Sequence, residues 1–365
     1  MPVLSPPAKI LVTGANGYVG CWAVRALLDK GYCVRAVVRT EDKARALSAL
    51  IKAKHPSATV GQFDCAVIPD IIAPGCPLQA DAIEAVLHDI QGIVHTATPV
   101  TFDLEDPEEY IRPAVEGTLG ILRSAAKYPE IKRVVITSSI GAVAESIVEK
   151  SRIYTDEDFN EVAVEAVKRL GKAASGMQKY NASKVLAEKA AWAFCEANNG
   201  RLPYEICVIA PGWICGPIPD DPPSPEGFVT PSAIMEWTQL FVSPPPSPHP
   251  AVPFNYIDIR DVVEMHVRAL ELPQAGGERF IATSHVCTWQ DWYDAAADMN
   301  LLPGLRRLHP PRSAEQRGAT ELPPHPVFSN EKAIRKLDMV FKTVPETLRA
   351  LVDDFGARGW LKHLE

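Results

Sequence analysis

The 365-residue chain has no apolar run long enough to cross a bilayer and no excess of positive charge. Its 37 Lys and Arg against 45 Asp and Glu leave a net charge of −8, which argues against nucleic acid or an anionic membrane as the main partner. The eight cysteines are scattered, with no Cys-x-x-Cys pair and no metal-ligand spacing to histidine. Neither a disulfide scaffold nor a metal site is therefore expected. The opening Met-Pro-Val-Leu-Ser-Pro-Pro lacks the basic-then-apolar pattern of a secretory signal, so the expectation is a cytoplasmic protein with reduced thiols. Internal repeats are absent as well.

Against these absences stands one stretch, residues 10–20, Ile-Leu-Val-Thr-Gly-Ala-Asn-Gly-Tyr-Val-Gly. A short apolar run ends in glycines at 14, 17 and 20, and a helical pattern follows over 18–30. Strand, glycine turn and helix in that order make a dinucleotide-binding turn. Gly14 permits the tight turn, Gly17 lets the backbone approach a pyrophosphate, and Gly20 lets the helix pack close. The first-turn N–H groups near Asn16, Tyr18 and Val19 lack intrahelical partners and favour an anion.

Short apolar runs then alternate with helical patterns for about two hundred residues, with strands expected at 32–38, 59–63, 92–95, 133–137 and 204–210. This rhythm predicts an α/β fold, a Rossmann-type doubly wound parallel sheet with right-handed crossovers. A polar stretch at 146–178 interrupts it and reads as a partly helical flap. Proline, 33 residues in all, concentrates in 211–253, which cannot be regular throughout. The expected division is a dinucleotide-binding domain over 1–210, to which the chain returns at about 254–283. A smaller mixed substrate lobe is expected from 211–253, as a Pro-rich lid, and 284–365.

Tyr180-Asn-Ala-Ser-Lys184 sets a phenol and an ammonium at i and i+4, on one face of a helix. At about 5 Å and an effective dielectric near 20, the ammonium would favour phenolate by roughly 3 kcal/mol, about two pKa units. A tyrosine so lowered could exchange a proton near neutral pH. The pair follows Ser138-Ser139, at the carboxyl end of the fifth strand, where ligands bind in such sheets. Arg39, just after the second strand, and Lys43, one helical turn on, suit a ribose 2′-phosphate and so NADPH over NADH. Trp213, Phe228, Trp237, Phe241 and Phe254, with almost no nearby base, suit a hydrophobic carbonyl substrate better than a sugar diphosphate.

Taken together, several motifs resemble those of the extended short-chain dehydrogenases/reductases. They are Thr13-Gly-Ala-Asn-Gly-Tyr-Val-Gly20, Val38-Arg39-Thr40, Asp70-Ile71, His95-Thr96-Ala97-Thr98-Pro99, Thr137-Ser138-Ser139, Tyr180-Asn-Ala-Ser-Lys184, Ala187-Glu188, Pro211-Gly212 and Asp258-Ile259-Arg260-Asp261-Val262. Within that superfamily the chain is similar to the dihydroflavonol reductase-like group of fungal and yeast NADPH-dependent carbonyl, aldehyde and methylglyoxal reductases. The resemblance implies that Ser139, with Ser138 as its competitor, hydrogen-bonds the substrate carbonyl. It implies Tyr180 as general acid and Lys184 as the residue that binds the nicotinamide ribose and lowers the tyrosine's pKa. Asp70 and Ile71 would contact adenine, Thr96 and Ala97 would line the cofactor, and Pro211 and Gly212 would form the nicotinamide-side loop. Ser232 is a further candidate cofactor contact.

Three other readings share this fold: a 3β-hydroxysteroid-type dehydrogenase, a nucleotide-sugar epimerase or dehydratase, and a non-enzymatic NADP sensor. Arg39 and the Ile140-Gly141 that follows Ser139 count against the sugar enzymes. The retained Tyr180 and Lys184 count against the sensor. Such a protein would act as a monomer or a homodimer.

Overall fold

The apolar runs meet in one seven-stranded parallel sheet. Its strands are β1 (Lys9–Thr13), β2 (Cys33–Val38), β3 (Phe63–Val67), β4 (Gly92–His95), β5 (Arg133–Thr137), and then, past a short strand β6 (Arg152–Tyr154), β7 (Glu205–Pro211) and β10 (Arg279–Ala282). The order across the sheet is β10-β7-β5-β4-β1-β2-β3. β1 and β4 are buried along nearly their whole length, as strands covered on both faces must be. Strand order reverses between β1 and β4, and their register sets Thr13 beside His95, with Ile136 of β5 next to His95. The carboxyl ends are thus level at the switch point, where a crevice opens. The computed structural model describes residues 1–56, 61–69, 77–98, 100, 102–219, 224, 231–242, 252–319 and 322–364.

Helices α1 (Tyr18–Asp29), α2 (Glu41–Lys54), α3 (Pro77–Leu87), α4 (Glu108–Ala125), α5 (Glu161–Leu170) and α6 (Gly176–Ala197) link the strands. The third strand is described at Phe63–Val67; of the expected 59–63, residues 59 and 60 lie outside the described residues. Asp64 hid it: the carboxylate sits on the edge strand and is tied to Arg35 and Lys9, each at 2.8 Å, so a charge is tolerated in mid-strand. Helix α6 begins at Gly176, one turn before Tyr180. Ser175 caps it, accepting from the Gln178 N–H while the Gln178 side chain accepts from the Ser175 N–H.

The stretch 254–258 does not rejoin the large sheet. As β9 (Phe254–Asp258) it pairs parallel with β8 (Trp213–Cys215) and antiparallel with β11 (His285–Cys287), forming a separate three-stranded sheet. An apolar run reads the same whichever sheet receives it. Helix α7 (Pro231–Phe241) precedes β9, and α8 (Ile259–Glu271) follows it to pack on α1. A second aromatic core covers the small sheet, where Tyr256 meets Trp292 and Phe241 meets Phe355 edge to face at about 5.5 Å. Strand β12 (Pro326–Phe328) pairs with β6. Two side chains of α1 join the regions: the Tyr18 hydroxyl donates to the Gly216 carbonyl (2.7 Å) and the Trp22 indole to that of Pro217 (2.9 Å).

Candidate active site

The glycine turn is built on close approach. Gly14 has φ +66°, and a Cβ there would lie 2.9 Å from Thr96 Oγ1. A Cβ on Gly20 would stand 2.2 Å from the Gly14 carbonyl oxygen, far inside contact distance. Only glycine lets α1 press its N-terminus so near the end of β1. Gly17 at the N-cap offers no side chain to the first turn, and that turn carries no acidic residue. The free N–H groups at Tyr18, Val19 and Gly20 therefore suit an anion from outside. Across the turn, Thr96 Oγ1 donates to the Thr13 carbonyl (2.7 Å), and the Ala97 N–H donates to Thr13 Oγ1 (3.3 Å). Arg39 and Lys43 stand exposed at the end of β2, and neither has an ion-pair partner among the described residues.

Two consecutive serines leave β5, and the structure treats them differently. Ser138 is buried and its hydroxyl donates to Glu188 Oε2 at 2.7 Å. Ser139 is partly exposed to the crevice and accepts from the Gly141 N–H (3.0 Å). Tyr180 comes from α6, with Phe102 set edge-on to its ring at 5.6 Å. Lys184, one turn further, is buried and donates to the Thr137 carbonyl at 3.4 Å. The nearby His95 is buried and held neutral, its pKa pushed down to about 4 by burial and then by the Lys184 charge.

The expected lowering of the Tyr180 pKa is not found. Burial raises it, opposed by the Ser139 side chain. The ammonium lies over the tyrosine ring, 5.8 Å from its centre, and bonds to a main-chain carbonyl. Burial instead acts on the lysine, taking Lys184 down to about 8 against the opposing charge of Glu188.

One cavity of about 480 Å³ gathers these groups. Its walls include Gly14, Asn16, Gly17, Tyr18, Val19 and Gly20 from the turn, Arg39 and Lys43 at one end, and Thr96 and Ala97. Ser139, Tyr180 and Lys184 stand in it beside Pro211, Gly212 and Ser232. Asp70 and Ile71 lie outside the described residues, as does Phe228. Trp213 and Phe254 line the cavity, whereas Trp237 and Phe241 belong to the second aromatic core. Sequence reasoning missed Met177, Pro326 and Phe328, which complete an apolar wall. No local pattern marks the last two; they arrive through the pairing of β12 with β6.

Tyr180 in the ligand-free protein is expected to ionise above the ordinary tyrosine value of 10.0. A spectrophotometric titration of wild type against Tyr180→Phe checks this. No phenolate difference should develop below that pH, and a step two units lower would contradict it.

Comparison with known proteins agrees with this geometry. Residues 10–282 match the model of the NAD dependent epimerase/dehydratase family. The chain is 31% identical over 350 residues to the NADPH-dependent methylglyoxal reductase Gre2 of Saccharomyces cerevisiae, covering 93% of this chain and 96% of that protein. It is 30% identical over 346 residues to the ketoreductase azaE of Aspergillus niger, covering 92% and 93% respectively. The solved structure of yeast Gre2 complexed with NADPH superposes with a TM-score of 0.79 at 28% identity, over 96% of this chain and 99% of that one. With its glycine turn, sheet order and family match in agreement, this chain belongs to the NAD dependent epimerase/dehydratase family.

Proposed function

We propose that the protein is an NADPH-dependent carbonyl reductase, converting a hydrophobic ketone or aldehyde to the alcohol. One observation carries the reading: Ser139, Tyr180 and Lys184 share a cavity with the glycine turn, and apolar side chains (Phe102, Met177, Trp213, Phe254, Phe328) make up much of its remaining wall. The named activities of two relatives, methylglyoxal reduction and ketoreduction, support it, as does a structural relative solved with NADPH.

The residues present fit that cofactor. The uncapped start of α1, which Gly14 and Gly20 allow to press close to the end of β1, would receive a pyrophosphate. Arg39 and Lys43 receive the 2′-phosphate, Arg39 with its planar fork. Thr96, Ala97, Pro211, Gly212 and Ser232 would line the cofactor, and Lys184 would hold the nicotinamide ribose. When bound, NADPH supplies a hydride to the carbonyl carbon.

The chain's own groups do the rest. Ser139 hydrogen-bonds the carbonyl oxygen, a role closed to Ser138 by its bond to Glu188. Tyr180 gives its proton to that oxygen as negative charge develops there. A phenol whose pKa burial has raised is protonated at neutral pH and poised to donate, and an alkoxide is a far stronger base than phenolate. Residues 1–210, with the returning β10, carry the cofactor side, and the chain beyond 211 supplies most of the substrate wall.

Exchanging Arg39 for Asp should move cofactor preference from NADPH toward NADH. Steady-state rates at sub-saturating cofactor check this, and equal use of both by the wild type would contradict it.

The reading as a whole is tested by NADPH oxidation with aryl ketones, small aldehydes, steroids and UDP-sugars. Aryl or alkyl carbonyl compounds should turn over. Tyr180→Phe should bind NADPH normally and lose about 10²–10⁴-fold in kcat. Inert ketones with competition by UDP-sugars at low concentration would overturn the reading, as would near wild-type kcat in Tyr180→Phe.

A further inference from the structure

We propose that the buried Glu188–Arg279 pair is the positioning element for Ser139, holding the Ser138 hydroxyl on one side of that serine and the Ala142 carbonyl on the other. The inference rests on the reading of Ser139 as the group that binds the carbonyl oxygen. Glu188 lies on α6, one turn beyond Lys184, and Arg279 opens β10, the last strand to join the sheet. Both side chains are almost fully buried and meet through Arg279 Nε and Glu188 Oε1 at 2.5 Å. Two charges out of water need partners to be tolerated, and several of the bonds this pair makes lead to the chain beside Ser139.

Before Ser139, the Ser138 hydroxyl donates to Glu188 Oε2 at 2.7 Å. Arg279 Nη2 donates to the same oxygen at 3.2 Å. After Ser139, Arg279 Nη2 also reaches the Ala142 carbonyl at 3.4 Å, at the end of the 3₁₀ turn Ile140–Ala142. The chain around Ser139 is therefore gripped three residues downstream and one upstream by a single ion pair. Arg279 Nη1 extends the grip to the carbonyls of Asp156 (3.1 Å) and Asp158 (2.5 Å), and its guanidinium lies 4.2 Å over the Phe159 ring. The Trp192 indole N–H donates to Glu188 Oε1 at 3.3 Å and completes the carboxylate's set.

The arrangement solves a specific problem. Ser139 and Tyr180 must address one oxygen, yet they come from β5 and α6, separate elements whose spacing no local sequence sets. A carboxylate on α6 bonded to the residue before Ser139 fixes that spacing directly. It also gives a use to the Ala187-Glu188 dipeptide, for which the cofactor and the proton transfer supply none.

The test compares Ser139→Ala, Ser138→Ala, Glu188→Ala, Glu188→Gln and Arg279→Lys by kcat, carbonyl KM, NADPH Kd from fluorescence, and thermal midpoint. Glu188→Ala and Arg279→Lys should lose about 10²-fold in kcat, and Ser138→Ala about tenfold, with NADPH Kd within about twofold. Glu188→Gln keeps an oxygen for Ser138 and should recover part of the loss. If the folded variants keep kcat within about twofold of wild type, whatever their thermal midpoint, the pair is a structural buttress and the inference falls. Ser138→Ala removes a single hydroxyl and decides the matter where a charge variant does not fold. Full kcat in Ser139→Ala would instead overturn the role read for Ser139. Loss in Ser139→Ala alone would leave that role standing and refute the positioning pair.

Discussion

The crevice depends first on how close α1 comes to the end of β1. The Gly14 carbonyl occupies the space beside Gly20, leaving 2.2 Å where any other residue would place a Cβ. That approach brings the uncapped helix start up to the level of the sheet's carboxyl ends. Thr13 then bonds across to the loop after β4, through Thr96 and Ala97, and closes the turn from the other side. A helix start suited to an anion results from backbone alone, with no acidic side chain in its first turn. The cations Arg39 and Lys43 stand exposed farther out along the same cavity.

The second half of the site is a question of burial. Tyr180, Lys184 and Glu188 occupy successive turns of α6, but only Glu188 is matched by a full opposite charge. Lys184 has a carbonyl for a partner and is driven toward neutrality, with a pKa of about 8. Tyr180 is held in its protonated form. A site prepared in this way holds a proton donor and a lysine ready to gain from any anionic or hydroxyl-bearing ligand. Folding stability invested in burying these groups becomes binding and proton transfer once a ligand restores their partners.

Much of this was legible because the signals are local. The glycine turn, the Tyr180 and Lys184 spacing, the paired serines and the alternating apolar runs each follow from chemistry within a few residues. The remainder depends on contacts distant in sequence. Asp64 obscured β3 because its partners, Lys9 and Arg35, belong to other strands. Strand 254–258 looked like part of the large sheet because burial on both faces does not say which sheet does the burying. Pro326 and Phe328 reached the cavity wall through a pairing with β6 that no periodicity announces. The direction of the Lys184 side chain was misjudged because helical spacing fixes Cβ positions and leaves the ammonium to the strongest acceptor nearby, the Thr137 carbonyl. One late signal was available and unused: Ser175-x-x-Gln178 is a capping box, and it marks the true start of α6.

The central claim is hydride transfer to a carbonyl carbon inside this cavity. It is tested most directly with NADPH deuterated at the transferable position of its nicotinamide, incubated with an aryl ketone and followed by mass spectrometry and NMR. Carbonyl reduction predicts one alcohol formed per NADPH consumed, carrying a single deuterium on the carbinol carbon in one stereochemical sense. The contrary result is NADPH that binds yet passes no label to any carbonyl compound, while a nucleotide sugar is converted and the cofactor is returned in its starting redox state.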